Sequence, residues 1–176
     1  ASDSRIVVIH KKNGGVSTAR NEAQKLAKGN YVIYVDSDDY IHEEMIQSLY
    51  EQLIAENADV SSCSVMNVYQ NSQTPQCSDE NLYFVYNQEE FLREYLIGQR
   101  VQGTLGNKLI RKEITDQLEF PVGKIYEDAY YHLQLVQVAK KYVVHTKPYY
   151  YYYHRNQSLT TNPYHERDLV YLDVYQ

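Results

Sequence analysis

Tyr31-Val32-Ile33-Tyr34-Val35 is an unbroken β-prone run that stops abruptly in Asp36-Ser37-Asp38-Asp39. Apolar residues without alternation belong in a strand covered on both faces. Acids packed at one end of such a strand must sit at the rim of the sheet, not inside it. The flanks extend the pattern. Upstream, Ile6-Val7-Val8-Ile9 within residues 5–10 reads as another buried strand, and Asn13-Gly14-Gly15 breaks it. A helix then starts near Ser17 or Thr18, with Ala19, Ala23, Leu26 and Ala27 on its buried face and Gly29-Asn30 as its stop. Downstream, Ile41, Met45, Ile46, Leu49, Leu53 and Ile54 recur at helical spacing over 41–56, and residues 59–69 read as a third strand. Strand, helix, strand, helix, strand predicts an α/β fold with a mainly parallel sheet flanked by helices.

The remainder continues the same domain. Residues 70–81 are polar and contain Pro75, which predicts a loop. Asn87 with Glu90 three positions on has the form of a capping box, followed by Phe91, Leu92, Tyr95 and Leu96. A helix is predicted over 127–141 and a strand over 142–154. That strand holds Tyr149-Tyr150-Tyr151-Tyr152-Tyr153, with alternate rings packed inside. Residues 167–176 read as a helix. No repeat or linker divides the 176 residues, a length that suits one core. Three parallel strands alone would leave an open edge, so further strands are expected on the N-terminal side.

Composition narrows the partners. A net charge of −6 with no basic block argues against nucleic acid, which requires a cationic footprint. No stretch approaches the ~20 apolar residues that cross a bilayer, and no secretory signal opens the chain. Cys63 and Cys77 form no CxxC pair and suit free thiols in a reducing compartment, so the cytoplasm is expected. The 20 tyrosines, against 3 Phe and no Trp, have two readings: grooves for hydroxyl-rich ligands, or core positions that Phe would otherwise fill.

Three segments carry chemistry. Asp36, Asp38 and Asp39 lie at a strand's carboxyl end, where open α/β sheets bind ligands. Three carboxylates in four residues repel one another, and Mg²⁺ or Mn²⁺ would relieve that repulsion. Such ions usually share their coordination between one or two carboxylates and substrate phosphates, so a diphosphate is the natural co-ligand. The alternative is that Asp38 or Asp39 caps the following helix. In the second segment, residues 14–21, a glycine turn opens a helix whose free N–H groups suit an anion. Arg20 in its first turn opposes the helix dipole and points to an anionic partner, or else lies in solvent. The third segment is Glu127-Asp128, a pair of acids at a helix start, which dipole preference alone could explain.

Taken together, these segments resemble the family 2 glycosyltransferases of the GT-A fold. The resemblance is carried by Asn13-Gly14-Gly15-Val16-Ser17-Thr18-Ala19-Arg20-Asn21 and by Gly29-Asn30-Tyr31-Val32-Ile33-Tyr34-Val35-Asp36-Ser37-Asp38-Asp39. It continues in Gly106-Asn107-Lys108-Leu109-Ile110-Arg111-Lys112 and in Phe120-Pro121 with Ile125-Tyr126-Glu127-Asp128, over about residues 5–160. The family's leading strands precede this stretch. The chain therefore reads as a partial GT-A domain: 1–70 the end of the nucleotide-binding half, 71–160 the acceptor-binding half, 161–176 the start of a C-terminal helix.

The resemblance implies a role for each matching position. Asp36 and Asp38 would be the Asp-x-Asp pair holding nucleotide and Mn²⁺ or Mg²⁺, with Arg20 near the diphosphate. Asp128 would be the base that deprotonates the acceptor, with Glu127 beside it, and Asn107 and Lys108 would line the acceptor side. The implied reaction inverts the anomeric centre. It moves a sugar from a nucleotide-diphosphate donor, UDP-linked above all, to a hydroxyl of a glycan or lipid-linked glycan. The setting implied is bacterial surface polysaccharide synthesis in the cytoplasm or at the inner face of the membrane, with peripheral attachment. Competing readings are a sugar nucleotidyltransferase, whose triphosphate loop is not visible, and a non-catalytic carbohydrate-binding domain. A haloacid-type phosphatase would place a small Gly-Thr-like continuation where Tyr40 stands.

Overall fold

The computed structural model describes residues 3–155 together with residues 169 and 174. The helix expected at 167–176 lies almost wholly outside them. In chain order the elements are α1 (Val16–Leu26), β1 (Tyr31–Val32), β2 (Tyr40–Ile41), α2 (Met45–Ala55), β3 (Val60–Val68), β4 (Gln73–Pro75), β5 (Tyr83–Tyr86), α3 (Gln88–Ile97), β6 (Lys108–Arg111), α4 (Lys112–Thr115), α5 (Glu127–Val138) and β7 (Tyr142–Tyr153).

The strands form one sheet in the order β1-β6-β3-β7-β2, with β4 on β3 and β5 on β7. β3 lies at its centre and is buried continuously over its first six residues, as a strand covered on both faces should be. It runs parallel to β7, with Val60 opposite Tyr142 and Val68 opposite Tyr153, and the register slips around Ser64. β1 and β3 point the same way, as the strand–helix alternation predicts. β6 is inserted between them and runs the opposite way. The sheet is therefore mixed rather than mainly parallel, since β3–β7 is its one parallel pairing among the described residues. Helical crossovers set strand direction, but they do not dictate which strand sits alongside.

Other expectations need local correction. Residues 6–9 form no strand, and Ile6, Val7 and Val8 are 57%, 75% and 61% exposed. An apolar run becomes a strand only where a neighbour supplies ladder partners, and no described strand lies beside this one. The predicted helix over 41–56 starts at Met45, because Tyr40 and Ile41 pair with Tyr151 and Tyr150 instead. The loop over 70–81 contains the short edge strand β4. Pro75 is tolerated there because it sits at an edge.

Two apolar clusters hold the layers together. On α2, Met45, Leu49 and Leu53 form a stripe at intervals of four and are fully buried against Cys63, Val65, Leu109, Tyr149 and Tyr150. Each such side chain contributes about 1.5–3 kcal/mol. On the opposite layer, α3 and α5 cover β5 and β7 through Phe91, Tyr131, Leu135 and Tyr142, with Phe91 stacked on Tyr142 at 3.9 Å. α3 starts with the predicted capping box, Asn87 accepting from Glu90 N–H while Glu90 accepts from Asn87 N–H. It stops at Gly98, whose left-handed backbone glycine tolerates without strain. Within the tyrosine run, Tyr149 and Tyr150 are both buried, so packing does not strictly alternate. No helix among the described residues is long and apolar enough to cross a membrane.

Candidate functional site

β1 leaves the sheet at Val32, and residues 33–36 carry the chain to the acidic cluster. The cluster divides. Asp39 turns back toward β7, its Oδ2 accepting from the Tyr150 hydroxyl at 2.6 Å and its Oδ1 from Tyr153 N–H at 3.0 Å. Burial pushes its pKa up against the pull of those two bonds. Asp36 and Asp38 instead face a cavity of about 880 Å³. The helix-cap alternative fails, since Glu44 occupies the cap position of α2.

Arg20 spans this cavity. Its Nη2 donates to Asp36 Oδ1 at 2.7 Å, and its Nη1 donates to Glu127 Oε1 at 3.0 Å and to Asp128 Oδ1. One side chain thus links the strand end at Asp36 to the first turn of α5. Burial opposes the guanidinium charge, but the carboxylates of Asp128, Asp36 and Glu127 outweigh it and raise the pKa.

The seat of Arg20 corrects the expected face of α1. This helix buries Ser17, Asn21 and Gln24, not the predicted alanines and Leu26. Asn21 exchanges two hydrogen bonds with the Phe120 backbone, at 2.9 and 2.8 Å. Gln24 donates to the carbonyls of Thr115 and Leu118 at 2.6 and 2.9 Å, and its Oε1 accepts from the hydroxyls of Tyr34 and Tyr131. A polar helix face is tolerated inside because Asn21 and Gln24 find partners there. The guanidinium also lies 5.2 Å from the Phe120 ring centre, within cation–π reach.

Asp128 is half-buried in the first turn of α5. Burial raises its pKa, Arg20 pulls it down, and Glu127 and Asp36 push it up again, leaving it at about 6. A carboxyl poised there ionises near neutral pH yet remains basic enough to accept a proton.

The cavity wall gathers residues from several strand ends. Asp36 follows β1, Asn67 lies near the end of β3, and His154 and Arg155 follow β7, all on the rim to which these three strands point. Arg155 Nε lies 3.9 Å from Asp38 Oδ2. Tyr95, Tyr126, Tyr152 and Tyr153 complete much of the wall. Other tyrosines fill the core, where Tyr131, Tyr142 and Tyr150 are fully buried.

The sequence profile of glycosyl transferase family 2 matches residues 1–118. The chain belongs to that family. Glycosyltransferase GlyG of Streptococcus pneumoniae serotype 4 is 33% identical over 141 residues, 72% of this chain and 44% of GlyG. Glycosyltransferase GlyA of the same organism is 29% identical over 172 residues, 90% of this chain and 24% of GlyA. The crystal structure of S. aureus TarS 1–349 in complex with UDP-GlcNAc superposes with a TM-score of 0.67 at 23% identity, covering 89% of this chain and 44% of TarS. That likeness establishes the GT-A fold. The chain spans less than half the length of each of these relatives.

Within this family 2 domain the profile match ends at residue 118, so the placement of Glu127 and Asp128 comes from the structure. It sets them on the same cavity as Arg20, Asp36 and Asp38. Asn107 and Lys108 are not on that wall but behind it, both fully buried. Lys108 Nζ donates to the carbonyls of Gln102 and Thr104 at 2.7 and 2.6 Å and to Asn107 Oδ1 at 2.8 Å. Asn107 in turn donates to Cys63 O and Gln102 Oε1. Burial pulls the Lys108 pKa down to about 7. This pair shapes the 102–104 segment, which does line the cavity. Sequence reading overlooked His154 and Arg155. The strand-end rule that exposed Asp36 would have found them had it been applied to 142–154.

Proposed function

We propose that the intact protein is an inverting, metal-dependent glycosyltransferase that moves a sugar from a nucleotide-diphosphate donor to a hydroxyl of a glycan or lipid-linked glycan. The observation that carries this reading is the Arg20 bridge, which sets Asp36 and Asp128 on one cavity although 92 positions separate them. The nucleotide carried by the TarS complex supports a UDP-linked donor. In the proposed division of the domain, residues 1–70 serve the donor and 71–160 the acceptor.

Asp128 holds the acceptor hydroxyl and takes its proton as the oxygen attacks the anomeric carbon, opposite the departing diphosphate. Proton transfer of this kind contributes typically ~10²–10⁴-fold. Glu127 shares Arg20 with it and keeps that guanidinium oriented. Arg20 is placed to turn from carboxylates toward the donor's diphosphate, a stronger bidentate partner.

Asp36 and Asp38 suit Mn²⁺ or Mg²⁺. Both offer hard oxygen ligands to the cavity. That is the donor set of an ion held by one or two carboxylates and completed by substrate phosphates. When bound, the ion supplies Lewis-acid neutralisation of the leaving diphosphate. Free, buried Cys63 and Cys77 support a reducing, cytoplasmic setting, at the inner membrane face where lipid-linked acceptors reside. The product is proposed to enter a bacterial surface polysaccharide.

The test is a panel of nucleotide sugars offered to the full-length protein with Mn²⁺. Asp128→Asn should bind donor as the wild type does and lose transfer. Full transfer by that variant would falsify the assignment of Asp128 as base.

A further inference from the structure

Three non-glycine residues among those described have positive φ: Asn57 at 47°, Asn81 at 52° and Tyr126 at 59°. Asparagine tolerates this region because its short polar side chain bonds locally, whereas a bulky aromatic there is a genuine outlier. Tyr126 is also the cap residue of α5 and supplies no side-chain cap bond. Asparagine would serve both local needs better, as the preferred cap and as a tolerant left-handed residue. Backbone strain of this kind persists where it performs a function.

The strain presents a ring. Tyr126 is 37% exposed and lines the cavity immediately before Glu127 and Asp128. A pyranose carries patches of C–H groups on its ring faces, and an aromatic face, with its negative quadrupole, packs against them. A sugar that presents a hydroxyl to Asp128 would occupy the same cavity as this ring.

We propose that Tyr126 is an acceptor-binding residue whose left-handed backbone aims its ring at the acceptor pyranose and selects ring-form sugars over acyclic polyols. An open-chain polyol has no fixed C–H face for the ring to pack on. This inference rests on the reading of Asp128 as base.

The experiment uses the full-length protein with UDP-glucose or UDP-N-acetylglucosamine and Mn²⁺. Methyl glycopyranosides of glucose, galactose and N-acetylglucosamine are the acceptor probes, and ribitol 5-phosphate is the acyclic probe. Tyr126→Phe keeps the ring and should hold acceptor KM within about twofold. Tyr126→Asn and Tyr126→Gly should raise pyranoside KM about tenfold, the worth of one good ring contact. Donor KM should not move.

Unchanged pyranoside KM in the Asn and Gly variants, or donor KM rising in parallel, overturns the proposal. Wild-type preference for ribitol 5-phosphate overturns it too. A wild type that neither hydrolyses nor transfers any donor sugar sinks the glycosyltransferase reading itself, a separate failure.

Discussion

Replacing Arg20 by methionine tests the electrostatics of the site through a pH profile. Burial holds the Asp128 pKa at about 6, above the ordinary 3.8, while the Arg20 charge and hydrogen bond restrain it. A base works only when ionised, so kcat/KM should follow the carboxylate fraction. With a midpoint at about 6, roughly one-tenth is ionised at pH 5 and nine-tenths at pH 7, which predicts an about tenfold rise over that interval. An unperturbed aspartate would be about nine-tenths ionised at pH 5, giving a nearly flat profile there. Methionine removes both the guanidinium's attraction and its hydrogen bond, leaving burial, Glu127 and Asp36 to act alone. All three push upward, so the acid limb should move to higher pH. Lysine at the same position keeps the charge and should leave the limb nearer the wild type. The assay is initial transfer rate from pH 4.5 to 8.5 at saturating Mn²⁺. An acid limb that stays put in Arg20→Met, or a flat wild-type profile between pH 5 and 7, would refute the reasoning.

Two further perturbations separate the cavity wall from its supports. Asp38→Asn should weaken donor binding in Mn²⁺ but, with the metal chelated, bind nucleotide at least as well as the wild type, because one repelling charge is gone; titration calorimetry with and without chelator reads both signs. Lys108→Met strands the carbonyls of Gln102 and Thr104 and Asn107 Oδ1. Each buried orphan costs about 1–3 kcal/mol, so denaturant unfolding should show a loss of at least that size.

Legibility followed the range over which each interaction acts. The Asn87–Glu90 capping box is a local pattern and stands in the structure, and of the α2 stripe Met45, Leu49 and Leu53 are buried while Ile46 and Ile54 are exposed and Ile41 lies in β2. β3 and β7 are long enough to declare themselves, and their boundaries fall within one residue of expectation. α1 misled because its buried face is polar. Asn21 and Gln24 are satisfied by backbone 91 to 99 positions away, which no local window reveals. Asn107 and Lys108, placed on the acceptor side only by the family resemblance, are buried, with Lys108 holding the carbonyls of Gln102 and Thr104 from inside. The insertion of β6 between β1 and β3 has no local signature either. At the site, Asp36 and Asp38 stood out as carboxylates crowded at a strand end, whereas Glu127 and Asp128 read no differently from dipole-favoured acids at a helix start. The bridging role of Arg20 was not legible, since its three partners come from two distant segments.

The charges on the cavity wall make the case for a cation more strongly than the spacing of the aspartates alone. Asp36, Asp38, Glu127 and Asp128 face the cavity against Arg20 and Arg155, a formal excess of two negative charges. A diphosphate adds more of the same sign, and at a few ångströms each like-charge pair near a protein surface is unfavourable by about 4 kcal/mol before screening. Two guanidinium groups already engaged by carboxylates cannot offset both the wall and the ligand. A divalent ion held by Asp36 and Asp38 would cancel that excess and would compete with Arg20 for Asp36. Freed on that side, Arg20 could reach for phosphate oxygen while still restraining Asp128. Donor arrival and readiness of the base would then be coupled through a single side chain.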